Sequence, residues 1–217
     1  MNKAMYSLIL TDEVVDKIDR LAYEQGISRS QMIDHILARE VGLSTPEQQT
    51  RLIVRRTANR VSAVMPSLKL QIRSDLGSME IATYVKYKYN PSIKYSFDIV
   101  TEKGEPMGCL RLSSRSTSLE LQEHLDRFLA FLEAIDQAGA KLFRQDLTAG
   151  RQSRFQRDIL LPKLFEGTRD PEVIGDRLSG CIALIEAAMQ CYFNRLVSPT
   201  LMQDLAVVYE QYADLSQ

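Results

Sequence analysis

Residues 4–33 read AMYSLILTDEVVDKIDRLAYEQGISRSQMI, a stretch that predicts one short strand followed by two helices. The strand covers residues 4–10, in which side chains alternate between two faces. Thr11 is a typical N-cap residue, and the two acids after it favour the positive end of the first helix. Gly26 is a typical C-terminal cap, and Ser28 opens the second helix.

This strand and its two helices are too small to form a stable core alone, because short chains bury little of their apolar surface. A single strand also leaves the hydrogen-bonding groups at both of its edges without partners. Both problems are solved if two copies of the chain pair their strands antiparallel and interlock their helices. We therefore expect a homodimer.

The segment from Leu10 to Ile33 resembles the ribbon-helix-helix (CopG/Arc/MetJ-like) family of DNA-binding proteins. Its most specific pieces are the Leu-x-Asp-Glu start, the helix end at Gly26, and the Ser-Arg-Ser that begins at Ser28 before an apolar pair. The match covers less than a fifth of the chain. The resemblance implies a two-stranded ribbon that enters the major groove of double-stranded DNA, where outward side chains contact base edges.

Two sets of DNA-contacting residues follow from the resemblance. The ribbon face that meets the bases comprises Lys3, Met5, Ser7 and Ile9. Members of the family also bind a phosphate at the N-terminus of the second helix, where free N–H groups and the helix dipole favour an anion. The residues at that helix start are Ser28, Arg29 and Ser30.

The ribbon face departs from the family pattern, which usually carries Arg, Lys, Thr, Asn or Gln. Of the four residues on this face, only Ser7 and Lys3 can hydrogen-bond through their side chains, while Met5 and Ile9 suit apolar features such as a thymine methyl. Residues 1–43 contain five basic and seven acidic residues, a formal charge of −2. Since weak positive charge means weak attraction to phosphate, the unit could instead serve only for dimerisation or protein contact.

Residues 44–66 contain a predicted helix with apolar residues on one side and arginines on the other. The candidate auxiliary phosphate-binding residues are Arg51, Arg55, Arg56 and Arg60. Residues 44–75 contain six basic and two acidic residues, so the net charge of −1 for the whole chain hides an uneven distribution. The alternative is a surface helix, or one whose arginines pair with acids of the later helices.

The rest of the chain predicts an antiparallel meander packed with several helices. Alternating apolar residues over 68–113 indicate four strands, the second extending to Tyr89, with short turns between them. The pattern is helical from Ser118 onward, including a predicted helix over 155–165. The expected fold class is α+β. The expected domains are 1–43 (ribbon-helix-helix), 44–66 (arginine-rich connecting helix) and 67–217 (α+β).

Composition narrows the function class. The chain has 217 residues, 45% hydrophobic and 25% charged, as is ordinary for a globular protein. Three cysteines without CxxC spacing and two isolated histidines, His35 and His124, indicate neither a disulfide framework nor a metal site. Without a catalytic or cofactor motif, and without an apolar run long enough to span a membrane, we expect no enzyme, no cofactor, no membrane partner and a reducing cytoplasm.

The function that these features favour is a homodimeric, sequence-specific DNA-binding protein, a transcriptional regulator such as a repressor. Residues 67–217 would then bind an effector or a protein partner, or build higher oligomers. One alternative is an accessory protein of plasmid partition or mobilisation, whose second domain recruits a filament or a nuclease. Another is a protein-interaction scaffold that uses its N-terminal unit only to dimerise.

Overall fold

The computed structural model describes residues 5, 7–41, 46–73, 78–102, 104–139, 141–146 and 154–213. Within these ranges lie six helices and a six-stranded antiparallel sheet, which confirms the α+β class. The helices are α1 (Asp12–Gln25), α2 (Arg29–Glu40), α3 (Pro46–Val64), α4 (Leu119–Ala138), α5 (Pro171–Asn194) and α6 (Leu201–Ala213). The strands are β1 (Lys69–Arg73), β2 (Ser78–Tyr84), β3 (Ser92–Glu102), β4 (Glu105–Ser114), β5 (Arg144–Asp146) and β6 (Gln156–Leu161).

The chain divides into two compact units, Met1–Gln49 and Thr50–Gln217. The division falls inside α3, so most of the predicted connecting helix belongs to the second unit. None of the helices in the described ranges combines the length and the apolar content that crossing a bilayer requires.

The first unit contains the two predicted helices, and its described residues include no strand. Met5 and residues 7–10 adopt no regular secondary structure in the single chain. A strand forms its ladder of hydrogen bonds only with a neighbouring strand, and the described part of this unit offers none. Helix α1 ends as predicted at Gly26, whose φ of 64° is left-handed and suits glycine.

The second unit is built on a sheet with the strand order β1-β2-β3-β4-β6-β5, in which all neighbours are antiparallel. Alternate residues such as Ile81, Tyr95 and Leu112 are fully buried and form one apolar cluster with residues of α3, α4, α5 and α6. The residues between them lie on the opposite face, which is polar and carries the ion pairs Lys94–Glu80 and Arg111–Asp158. We call this second surface the open face of the sheet.

Two predictions for the second unit are wrong. The helix predicted over 155–165 is instead strand β6, in which Ile159 and Leu161 are buried and alternate with half-buried residues. Six residues are too few to separate a helical from a strand period, and pairing with the distant strand β4 decides the outcome. Strand β5 adds a sixth strand at the edge. Strand β2 ends at Tyr84 rather than Tyr89, because residues 86–89 form a bend and a turn, which Asn90 N closes by donating to Tyr87 O (2.8 Å).

A buried carboxylate ties α5 to the sheet. Glu186 on α5 accepts hydrogen bonds from Thr83 Oγ1 (2.7 Å), Tyr95 Oη (2.8 Å) and Gln190 Nε2 (2.9 Å). Burial and the neighbouring Glu186 carboxylate raise the pKa of Tyr95 well above its usual value. Such a buried network stabilises the fold only while all of its members have partners.

We therefore expect Glu186→Ala to destabilise the protein more than Tyr95→Phe, because the first change leaves several buried donors without an acceptor. The double variant Glu186→Ala/Tyr95→Phe should be less destabilised than the sum of the two single changes, with a coupling of about 0.5–3 kcal/mol. Urea denaturation of all four proteins measures the free energies of unfolding. Additive effects would contradict a shared network.

Candidate nucleic-acid interface

The first unit is a helical hairpin with a very small core. Its buried apolar residues are Ile18, Ala22 and Met32, with Ile27, Ile33 and Ile36 packed against them. The turn between the helices is closed by two backbone hydrogen bonds, from Gly26 N to Tyr23 O (3.2 Å) and from Ile27 N to Ala22 O (3.0 Å). This is the Schellman pattern, which ends α1 and directs the chain into α2.

The predicted ribbon residues lie on the exposed segment before α1. Met5 and Ile9 are completely exposed, at 99% and 103%, and Ser7 is also exposed. Lys3, the remaining residue of the predicted base-facing set, lies outside the described residues. Apolar side chains elsewhere in the unit are exposed too; the largest exposures belong to Leu8, Tyr23, Leu37 and Val41. An uncovered apolar surface of this kind is typical of a subunit interface.

The predicted phosphate site at the start of α2 is organised by Gln31, which the sequence analysis did not single out. Gln31 N donates to Ser28 Oγ (3.3 Å), and Ser28 N donates to Gln31 Oε1 (3.0 Å). This reciprocal pair is a capping box, and its Ser-x-x-Gln spacing was visible in the sequence. It leaves the amides of Arg29 and Ser30, which have no acceptor within the helix, directed out of the helix start. These two amides form the candidate anion site.

The Arg29 side chain is engaged within the hairpin. Its guanidinium makes a bidentate contact with Asp19 on α1, with a distance of 2.6 Å from Arg29 Nε to Asp19 Oδ1. The hydrogen bond from Arg29 lowers the pKa of Asp19, and the same bond raises the pKa of Arg29. Both side chains are about half exposed. An exposed pair of this kind is weak in water, so a phosphate could replace the Asp19 carboxylate.

The arginines of α3 divide into two groups. Arg56 makes a bidentate contact with Asp176 on α5 (2.7 and 2.9 Å) and lies 2.9 Å from Glu172, while Arg60 lies 3.3 Å from Asp176. The hydrogen bond from Arg56 lowers the pKa of Asp176. For Arg56 and Arg60, the structure thus agrees with the alternative in which these arginines pair with acids of the later helices. Arg51 is half-buried, and Arg55 is exposed.

The packing beneath these ion pairs explains why most of α3 belongs to the second unit. The buried residues Ile53, Val54, Ala58 and Val61 join its apolar cluster. The hydroxyl hydrogen of Thr57 is shared between the carbonyl of Ile53 in its own helix (2.9 Å) and the carbonyl of Gly175 on α5 (3.2 Å). A Cβ atom at Gly175 would lie 2.6 Å from the Cβ of Arg56, so α3 and α5 approach closely only because this residue is glycine.

No protein-family model, curated protein or solved structure matches this chain. In the part of the chain that the structure describes, no three His, Cys, Asp or Glu side chains lie close enough together to hold a metal ion.

The predicted site residues lie in two separate units of the chain. Those of the α2 start and the exposed N-terminal segment lie in the first unit, and the arginines of α3 lie in the second.

The two groups of arginines predict opposite effects of substitution. Arg56→Ala should lower the thermal unfolding midpoint, because it removes three contacts to α5, and should leave the salt dependence of duplex DNA binding unchanged. Arg55→Ala should leave the midpoint unchanged. If Arg55 contacts phosphate in both copies of a dimer, its loss should reduce the slope of log Kobs against log salt by about 2. A changed slope for Arg56→Ala with an unchanged midpoint would contradict this division.

Proposed function

We propose that the protein is a homodimeric, sequence-specific DNA-binding protein that acts as a transcriptional regulator in the cytoplasm. The observation that carries this proposal is the start of α2. There, a capping box leaves the amides of Arg29 and Ser30 without an acceptor in the helix, inside a hairpin that is preceded by an exposed segment. This arrangement supports binding of a phosphate at a helix N-terminus.

In the proposed complex, the segments around Ser7 of two copies pair into a ribbon that enters the major groove. Ser7 hydrogen-bonds a base edge, and Met5 and Ile9 contact apolar groups such as thymine methyls. The amides of Arg29 and Ser30 bind a backbone phosphate on either side of the ribbon. Phosphate contacts of this kind position the protein, while the ribbon supplies the sequence preference.

Asp19 gives the proposal a specific signature. Because Asp19 holds the Arg29 guanidinium in the free chain, a DNA phosphate must compete with a carboxylate for that cation. The acidic residues of α1 add repulsion toward DNA. We therefore infer modest non-specific affinity and a narrow contact that depends on Arg29.

The test is a selection of the full chain on random duplex DNA at low salt, followed by affinity measurements on the selected sequence. Arg29→Ala should weaken binding about tenfold, since both phosphate contacts of the dimer lose a cation. Asp19→Asn should strengthen it, because the carboxylate that competes for Arg29 is gone. Ser7→Ala should reduce the preference for the selected sequence over others.

Arg127→Ala is the matched control, since it removes the same charge from an exposed position on α4. It should leave DNA affinity unchanged. Absence of any sequence preference at low salt would overturn the proposal and favour the scaffold alternative. Equal weakening by Arg29→Ala and Asp19→Asn would mean that their ion pair merely holds the hairpin together.

A further inference from the structure

A pocket with a volume of about 400 Å³ lies at one end of the open face of the sheet, in the second unit. Its lining residues are Pro91, Ser92, Lys94, Arg115 and Ser116. The volume is within the usual range for small-molecule sites. Two of the lining residues are cations and two carry hydroxyl groups. Among the described residues, none of those that line the pocket is acidic.

The wall of this pocket, which we call the β3–β4 pocket, is held by hydrogen bonds before any ligand arrives. Ser114 Oγ donates to Ser92 O (3.3 Å), and Ser116 N donates to Ser114 Oγ (3.3 Å). On the other side, the turn before β3 is closed by Val85 N donating to Pro91 O (3.2 Å). A rigid site loses less entropy when it binds a ligand.

The cations of the pocket are available to an anion. Arg115 is exposed, and its planar guanidinium suits bidentate contact with a phosphate. Lys94 is paired with Glu80, and their side chains are 28% and 43% exposed, respectively. A partly solvated ion pair of this kind contributes little, so a doubly charged phosphate can compete for the ammonium group.

An aromatic ring stands beside the pocket on the open face. Tyr84 pairs with Ser92 across strands β2 and β3, so their side chains share that face. Tyr84 is 51% exposed, and Lys69 Nζ lies 5.3 Å from the centroid of its ring, which adds a third cation to this end of the sheet. An exposed tyrosine on a strand offers a face on which a nucleobase can stack.

We propose that the β3–β4 pocket binds a nucleoside monophosphate. Arg115 and Lys94 bind its phosphate, the hydroxyls of Ser92 and Ser116 donate hydrogen bonds to the phosphate oxygens, and the base stacks on Tyr84. Neighbouring strands lie about 4.8 Å apart, so the sugar spans the step from Ser92 to Tyr84. This site lies in the second unit and does not depend on the proposed DNA-binding function.

Calorimetric titration of the full chain with AMP, GMP, CMP and UMP tests the proposal, with ribose 5-phosphate and adenosine as partial ligands. At least one nucleotide should bind, and Arg115→Ala should weaken the affinity for that nucleotide about tenfold or more. Tyr84→Leu should weaken binding of the nucleotide but not binding of ribose 5-phosphate. Arg127→Ala is the matched control for charge and should bind normally. Thermal midpoints of all variants confirm that each is folded.

Three results would overturn the proposal. The first is the absence of binding by any nucleoside monophosphate at millimolar concentration and low salt. The second is equal binding by the wild type and Arg115→Ala. The third is an Arg115→Ala variant that loses duplex DNA affinity without any nucleotide binding, which would make the pocket part of the DNA interface. A chain that binds nucleotide but no duplex would overturn the proposed DNA-binding function alone.

Discussion

Within the described residues of the first unit, the apolar side chains that are fully buried are Ile18, Ala22 and Met32. Burial of apolar surface is the main force that opposes the loss of chain entropy on folding. At about 1.5–3 kcal/mol for each large side chain, Ile18 and Met32, together with the small Ala22, cannot order a unit of this length. Its helices therefore need further apolar cover, and the exposed Leu8, Leu37 and Val41 mark where apolar surface is still uncovered.

Local polar interactions compensate for part of this small core. The Schellman turn at Gly26, the capping box at Ser28 and the contact between Arg29 and Asp19 all act at the junction of α1 and α2. They orient the two helices and the amides at the start of α2 without requiring a large interior. In our proposal, the second copy of the chain supplies the missing cover, and its extended segment supplies the missing strand partner.

The second unit buries a large apolar cluster within the single chain. Its sheet buries the inner face of its central strands under helices, and α3 is held to α5 by Arg56, Thr57 and the close approach at Gly175. The arginines of α3 that first suggest a nucleic-acid surface are thus partly structural. The open face of the sheet carries the half-buried ion pairs Lys94–Glu80 and Arg111–Asp158, and the β3–β4 pocket lies there.

Features that depend on neighbouring residues were predictable from the sequence. Gly26 ends α1, and Ser118 and Asp170 cap α4 and α5 by accepting from backbone amides, as their positions indicate. Features that depend on distant residues were not. Strand β6 exists because β4 lies beside it, and Arg56 meets Asp176 from 120 positions away. Neither relation leaves a periodic signal in the local sequence.

The candidate site was predictable from the sequence in the same partial way. The Ser-x-x-Gln spacing and the glycine turn specify the start of α2 locally. Arg29 and Asp19 lie on two different helices, ten positions apart in the sequence. A sequence pattern does not specify which acidic residue an exposed arginine will contact. The same holds for the open-face pocket, since Ser92 and Tyr84 become neighbours only through the register of β2 and β3.

The pairing of two N-terminal segments is the central claim, and cross-linking of the Ser7→Cys variant tests it most directly. Ser7 lies at the middle of residues 4–10, so an antiparallel pair centred there places the two Cα atoms about 4.5–5.5 Å apart, within reach of a disulfide. Under mild oxidation, Ser7→Cys should form a reducible dimer much faster than Ser62→Cys, an exposed control on α3. Equal rates for the two variants, or a Ser7→Cys chain that remains monomeric, would contradict the account.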